Sequence, residues 1–388
     1  MKKLSLILLT LLLVVPLFSQ TDPNFENDVR LLNSLILNTE LNDSVSKYYN
    51  FVYKAENEYM KQNYKKAATY YEKAFGYLKY PFMKDLYRAI YCEKESRKNI
   101  DNLKKYLELY LSKTKKTEST YDYSRNLPLQ DSIEIVKLID TIKPVVDSSL
   151  VNYLYELRRI DQSVRLNLNY PLSEEKNNLL ITTDSINYNK LLDVIDKYPN
   201  LSEEIYGTAW GAFSIILNHC RSSQDIRMYI KLHNLVMNGQ IDARNYLDAI
   251  EYSLFRIEEK FTWGGSWHGA EIKNLDTKDK VYIFIIPNSK EEKTINKYRK
   301  KVYLEDIKSY HKKRIWTMQT GTYIYNTTTM LEENDAFNKI ILTNYYRGDK
   351  VKIYYKSKED KKRIKKAMKE YNKNRDNNNA DSEQNNDI

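Results

Sequence analysis

Asp161 stands where an apolar residue is expected. Leu150, Leu154 and Leu157 recur at helical spacing, and the next position on that face is Asp161. A carboxylate on the apolar side of a helix is costly unless it is paired and hydrogen-bonded. Arg165 lies one turn later, Arg158 one turn before, and Gln162 beside both. His219 shares the inward character, because it follows Ala212, Ile215 and Ile216 on one helix face. Inward Asp, Arg and His can supply a base, an orienting group and an anion clamp. Arg158, Asp161, Gln162, Arg165 and His219 therefore form a candidate pocket. The same residues would equally serve a charged network that fixes helix packing. No residue is assigned as catalytic, and the sequence leaves open whether the chain is an enzyme.

Other chemistry finds less support. Gly264-Gly265-Ser266 lacks the second flanking glycine of a nucleophile elbow and the Lys-Ser/Thr ending of a phosphate loop. His219 and His233 do not share a metal-ligand spacing, and four histidines in the whole chain leave little for a metal site. Nine glycines in 388 residues argue against a nucleotide-binding α/β enzyme. No cofactor and no metal is expected. Two cysteines exclude a disulfide scaffold. Cys92 and Cys220 fall in what read as different domains; export permits a disulfide between them, and two buried free thiols are the other reading.

The elements that must carry these residues begin with an address. Met1-Lys2-Lys3 precedes an apolar run from Leu4 to Phe18 that is too short to span a bilayer. Residues 1–20 read as a signal peptide, and the mature chain as exported, periplasmic or extracellular, and soluble after cleavage. Helical periodicity then runs from Asp28 to about Ser112. Ala67, Tyr71 and Ala74 lie on one face, with Tyr59 as the opposing knob on the preceding helix and Tyr64 in the same helix as Ala67, just after the turn at Asn63. Small residues let a neighbouring helix approach, and the aromatic fills the groove. A weaker copy follows in Leu86, Ala89, Ile90, then Leu103, Leu107 and Tyr110, close to a period of about 34 residues. This resembles a tetratricopeptide repeat, which implies a peptide- or protein-docking groove at Tyr59, Tyr64, Ala67, Tyr71 and Ala74; a structural hairpin that only braces the next domain would show the same pattern.

Helices are predicted over Ser132–Ile142, Ser149–Leu168, Tyr188–Lys197, Ser202–His219, Ser223–Met237 and Asp242–Phe261, with Asn238-Gly239 ending the fifth. The stretch from about Val151 to His311 resembles a bacterial domain family of unknown function. Asp161-Gln162-x-x-Arg165 looks like its Asp-Gln-x-x-Arg helix, His219 like its helix-end histidine, and Gly239-Gln240-Ile241 like its Gly-x-Ile break. Asn296 and Arg299 resemble its Asn-x-x-Arg element. The chain departs from that pattern at Glu251-Tyr252 and at Trp263-Gly264-Gly265-Ser266. The resemblance implies a helical fold and domain limits and carries no activity.

Residues Glu291–His311 look helical. Val281–Ile286, Thr322–Thr328, Lys339–Tyr346 and Val351–Lys356 read as strands, the last two joined by a turn at Arg347-Gly348-Asp349. The fold class is mainly α: tetratricopeptide-like helical hairpins, then an α-helical domain, with a small β-containing C-terminal part (α+β). The expected limits are 1–20 signal peptide, 21–113 repeat-like module, 114–145 linker and bracing helix, 146–315 helical domain, 316–357 β-rich segment, and 358–388 basic helix and disordered tail.

Lys+Arg exceed Asp+Glu by 62 to 52, and Lys350–Lys369 gathers much of the surplus as a potential contact for an anionic surface. Export points away from nucleic acid. The leading expectation is a non-enzymatic envelope protein that binds a protein or peptide through its repeats. The alternative is an enzyme or small-ligand binder at Asp161, Arg165 and His219. Most of the 35 tyrosines read as helix-packing and strand residues whose hydroxyls reach water at the rim of the core, apart from repeat tyrosines that would line a groove.

Overall fold

The computed structural model describes residues 23–97, 99–114, 117–166, 172–219, 226–247, 269–273, 280–286, 289–320, 330–332 and 350–355. It is mainly helical, and its residues divide into two compact units. The described residues from 23 to 247, with 295–306, make the first unit. The described residues from 269 to 294 and from 307 onwards make the second.

The first unit opens with α1 (Pro23–Asn38), then two helical hairpins: α2 (Asp43–Met60) with α3 (Tyr64–Phe75), and α4 (Met83–Ser96) with α5 (Ile100–Leu111). From α2 to α5 each helix packs on the next in chain order, whereas α1 packs on the later helix Arg227–Met237. Asparagines start two of them. The side chain of Asn42 accepts from the Ser44 and Val45 amides, and that of Asn99 from Asp101 and Asn102. The turn between α2 and α3 is tight because Gln62 takes φ 60°, a left-handed conformation usually given to glycine. Ala67, Tyr71 and Ala74 are fully buried, as are Leu86, Ala89 and Ile90.

A 3₁₀ turn (Glu118–Ser124) crosses what reads in sequence as a plain linker. It is followed by α6 (Leu129–Thr141), α7 (Ser148–Ser163), α8 (Glu174–Lys197), a helical turn at Glu203–Tyr206, α9 (Trp210–His219) and α10 (Arg227–Met237). A further helical segment covers 243–247. The hairpins and these later helices, read from sequence as separate domains, belong to one unit.

Three helix boundaries differ from expectation for identifiable reasons. α7 stops at Ser163, so Val164 caps the helix rather than extending its stripe. α8 begins fourteen residues before Tyr188, at Glu174 behind the Ser173 cap. Its first turns leave Leu179, Ile181 and Ile186 exposed, so no apolar face marks them. The helix expected over Ser202–His219 breaks at Gly207. There φ is +54°, and an added Cβ would lie 2.5 Å from the Lys113 carbonyl oxygen and 2.8 Å from Val146 Cγ1. Gly207→Ala is expected to lower stability by at least about 1–3 kcal/mol from the backbone conformation alone. Chemical denaturation measures it, and an unchanged midpoint would remove this role. The break after α10 agrees with the sequence: Gly239 has φ +69°, and Gln240 N–H closes back on Leu235 O at 2.9 Å.

The helix expected over Glu291–His311 is two helices, α11 (Ser289–Lys300) and α12 (Ile307–Thr320). Tyr303 at φ 61° and the Leu304 N–H to Arg299 O bond turn the chain between them. In the second unit, β1 (Gly269–Lys273), β2 (Lys280–Ile286), β3 (Met330–Glu332) and β4 (Lys350–Tyr355) pair in the order β3-β1-β2-β4. β1 pairs antiparallel with β2, Gly269 opposite Phe284, and β2 antiparallel with β4, Val281 opposite Tyr355. β3 is parallel to β1. β1 and β3 have no counterpart among the expected strands. Thr322–Thr328, Lys339–Tyr346, the Arg347-Gly348-Asp349 turn, the signal segment, Cys220 and the basic helix and tail lie outside the described residues.

Candidate functional site

The polar cluster expected around Asp161 is assembled where α7, α8 and α9 pack together. Leu150, Leu154, Leu157 and Asp161 are all buried along one line of α7, with Asp161 0% exposed. Its carboxylate is held from three sides. Arg165 Nη1 donates to Oδ1 at 2.9 Å, Gln162 Nε2 to Oδ2 at 2.7 Å, and His219 Nδ1 lies 2.7 Å from Oδ2. Arg165 follows the helix end, and Nη1 also donates to the Asp161 carbonyl at 2.8 Å. It thereby covers a terminal carbonyl and sets a cation at the negative end of the helix.

The sequence missed one member. Asp184 on α8 accepts from Arg165 Nη2, so the guanidinium bridges two carboxylates. Burial raises the Asp184 carboxyl above its ordinary range, against the pull of Arg165. Arg158 does not join. It is exposed, because the covered arc of α7 runs narrowly through Leu154, Leu157 and Asp161. An ionised Asp161 requires that His219 Nδ1 donate, which turns the Nε2 lone pair of a neutral ring away from the cluster. The His219 side chain is 28% exposed. Among the described residues, no group of three or more His, Cys, Asp or Glu could hold a metal ion.

The expected groove residues are placed differently. Ala67, Tyr71 and Ala74 are sealed between helices, and Tyr59 is 5% exposed. Tyr64 is half-buried, edge-on to Tyr59 and Tyr91. The interior beside these hairpins holds a second polar cluster, for which the sequence carried no periodic signal. Glu56 on α2, Asp85 and Arg88 on α4, and Asp242 and Arg244 before and within 243–247 are all buried. Arg88 pairs with Glu56 at 2.9 Å. Arg244 reaches Glu56 at 3.0 Å, Asp85 at 2.7 Å and Asp242 at 2.7 Å. Tyr48 and Tyr49 donate to Asp85 and Asp242, and their own oxygens accept from the Phe82 and Ala243 amides. Burial alone would raise Asp242, but Arg244 and Lys84 hold it below the ordinary carboxylate range. Tyr49 also stacks on Tyr303, 5.7 Å between centroids, and Tyr53 donates to the Tyr303 carbonyl. This side of α2 is thus occupied by the chain's own residues 242–244 and 303.

No family model matches this chain, and no curated protein or solved structure matches it significantly. Its chemistry must therefore be read from these contacts.

Two further buried groups bear on reactivity and on pH dependence. Burial pushes the Cys92 thiol up, away from the reactive thiolate. Glu203 is pushed up to about 7 by burial, against the pull of Lys113, while it accepts from the Met83 amide at 2.6 Å. A folded carboxyl near 7 against an ordinary 4.5 means that the unfolded chain ionises first as pH rises. This group's contribution should therefore decline from about pH 4.5 to about pH 7 and then level off. Glu203→Gln should flatten that decline in denaturation curves taken across the window; an unaltered slope would exclude Glu203 as its source.

Proposed function

We propose that the chain is an exported envelope protein of the tetratricopeptide-like type, without catalysis, whose helical hairpins hold another protein or peptide. In this reading residues 1–20 are the signal peptide, the central helices are a domain of unknown function, and the C-terminal part is a small α+β element. No described helix is long and apolar enough to cross a membrane, which is compatible with this reading. The observation that carries it is the division of the first hairpin. One side of α2 is filled by the chain's own Asp242, Arg244 and Tyr303, and the α2–α3 packing line is sealed by Ala67, Tyr71 and Ala74. The outward side keeps half-buried Phe51 and Tyr70, with Tyr77 37% exposed. A partner held by the first hairpin would meet this outer side. A photo-crosslinking residue at Tyr77 should trap one defined protein in cells, whereas the same residue at exposed Tyr155 should not. Absence of any adduct at Tyr77 would overturn the reading.

The Asp161 cluster favours a second reading, a small-ligand binder or enzyme, through one observation: His219, its side chain 28% exposed, is oriented by a buried carboxylate. Against it, each oxygen of Asp161 is already engaged within the cluster. A ligand that raises the melting temperature of the wild type but not of His219→Gln would support this reading. The same ligand response in both proteins would exclude it.

A further inference from the structure

The outer side of the α2–α3 hairpin is a layered seam. Lys47, Phe51 and Lys54 follow one another at +4 and +3 along α2, while Lys66, Tyr70, Lys73 and Tyr77 do so along α3 or just past its end. The two stripes run antiparallel and interleave. Lys47 Nζ stands 5.8 Å from the Tyr77 centroid, and Lys66 Nζ 6.0 Å from that of Tyr70. Lys54 and Lys73 share one ring, 5.1 and 6.0 Å from the Phe51 centroid. The three rings form a row, Phe51 lying 6.4 Å from Tyr70 and 5.8 Å from Tyr77. Aromatic faces attract ammonium groups and so hold these flexible side chains over the seam.

The charges are not balanced. At one end Lys47 pairs with Asp43 at 2.6 Å, and at the other Lys66 lies 3.6 Å from Glu58, which Lys61 also engages. Lys54 and Lys73, in the middle and exposed, make no ion pair among the described residues. The seam is therefore a short cationic strip closed at both ends by acids.

We infer that this strip docks a short acidic peptide segment of a partner protein. The inference rests on the protein-binding reading above and names the partner's chemistry. Nucleic acids and sugars stack on open ring faces, whereas the Phe51, Tyr70 and Tyr77 faces already carry ammonium groups. The cations are all lysines, point charges rather than the guanidinium forks suited to bidentate phosphate recognition. From Lys47 to Lys54 is about two helical turns, roughly 10 Å, which an extended peptide covers in about three residues. A long polyanion would run past the strip onto Asp43 and Glu58. A few Asp or Glu residues would not.

The test is fluorescence anisotropy of a labelled hexaglutamate peptide with the full chain at low salt. Wild type should bind, and Lys54→Glu/Lys73→Glu should weaken binding at least tenfold. Lys54→Gln/Lys73→Gln, the milder change at two exposed positions, should weaken it several-fold with an unaltered melting temperature. A control reversal at exposed Lys137 and Lys143 carries the same net charge change and should leave affinity within about twofold. The inference is overturned if hexaglutamate does not bind wild type. It is also overturned if the control reversal weakens binding as much as the seam reversal. Tighter binding through Lys54 and Lys73 of polygalacturonate, of an oligothymidylate or of phosphatidylglycerol vesicles would overturn it too. A crosslinked partner at Tyr77 with no hexaglutamate binding would sink this inference alone and leave the protein-binding reading standing.

Discussion

Replacing Arg244 with alanine is expected to lower the stability of the chain by about 3–5 kcal/mol, the usual cost of stripping one partner from a buried ion pair. The reason is the number of carboxylates that depend on it. Arg244 meets Glu56, Asp85 and Asp242, and all three are 0% exposed. Without it, Arg88 is the remaining described arginine of this cluster, paired with Glu56 at 2.9 Å and more loosely with Asp85 at 3.5 Å. Asp242 would keep the Tyr49 hydroxyl and its own capping bonds, which are too few for a buried charge. Part of the loss should return at low pH, where protonation removes the uncompensated charge. Urea denaturation at pH 7 and pH 4 measures both effects. A loss below about 1 kcal/mol would mean that water reaches the carboxylates and that the cluster is not sealed.

Tyr71→Ala should be comparably severe, at about 3–5 kcal/mol for an aromatic side chain removed from a packed core. Tyr71 is 0% exposed, between Ala67 and Ala74 on the packing face of α3 and 5.9 Å from the Phe75 ring. Tyr71→Phe should be neutral or slightly stabilising, because the Tyr71 hydroxyl has no hydrogen-bond partner among the described residues. The pair separates packing from binding. If Tyr71 lined a ligand groove, both variants would keep their stability and the phenylalanine would alter affinity. If it is a core residue, only the alanine variant loses stability, and any binding defect it shows follows from partial unfolding.

Local relations were legible in the sequence and remote ones were not. Asp161, Gln162 and Arg165 lie within a turn of one another on a helix with a clear apolar stripe, and His219 ends another helix with an inward face. Periodicity put each of them on an inward face, but the meeting of His219 with Asp161, 58 residues away in the chain, is visible only in the fold. Asp184 was hidden because the first turns of α8 expose their apolar residues, so that helix announces itself only from Tyr188 onward. Arg158 was over-read, since one turn of separation permits proximity without requiring it. The Glu56–Asp85–Arg244 cluster had no signal at all: charged residues in a lysine-rich chain default to the surface, and these partners sit on separate helices far apart in sequence. The sequence alone suggests that most tyrosine hydroxyls reach water at the rim of the core. Tyr48 and Tyr49 instead end on buried carboxylates.

The pairing of α2 with residue 303 bears on the order in which the protein can be made. The Asn42 amide donates to the Tyr303 hydroxyl, Tyr53 to the Tyr303 carbonyl, and Lys301 to the Thr39 carbonyl. Synthesis runs from the N-terminus, so the first hairpin emerges long before Tyr303 exists. Until then Tyr49 and Tyr53 lack their stacking and hydrogen-bonding partner, and Glu56 and Asp85 wait for Arg244. The hairpins are thus early in the chain but late to close. A fragment ending near residue 113 should behave as an incomplete folding intermediate, with the Tyr49 and Tyr53 rings uncovered and Arg88 left to serve both Glu56 and Asp85.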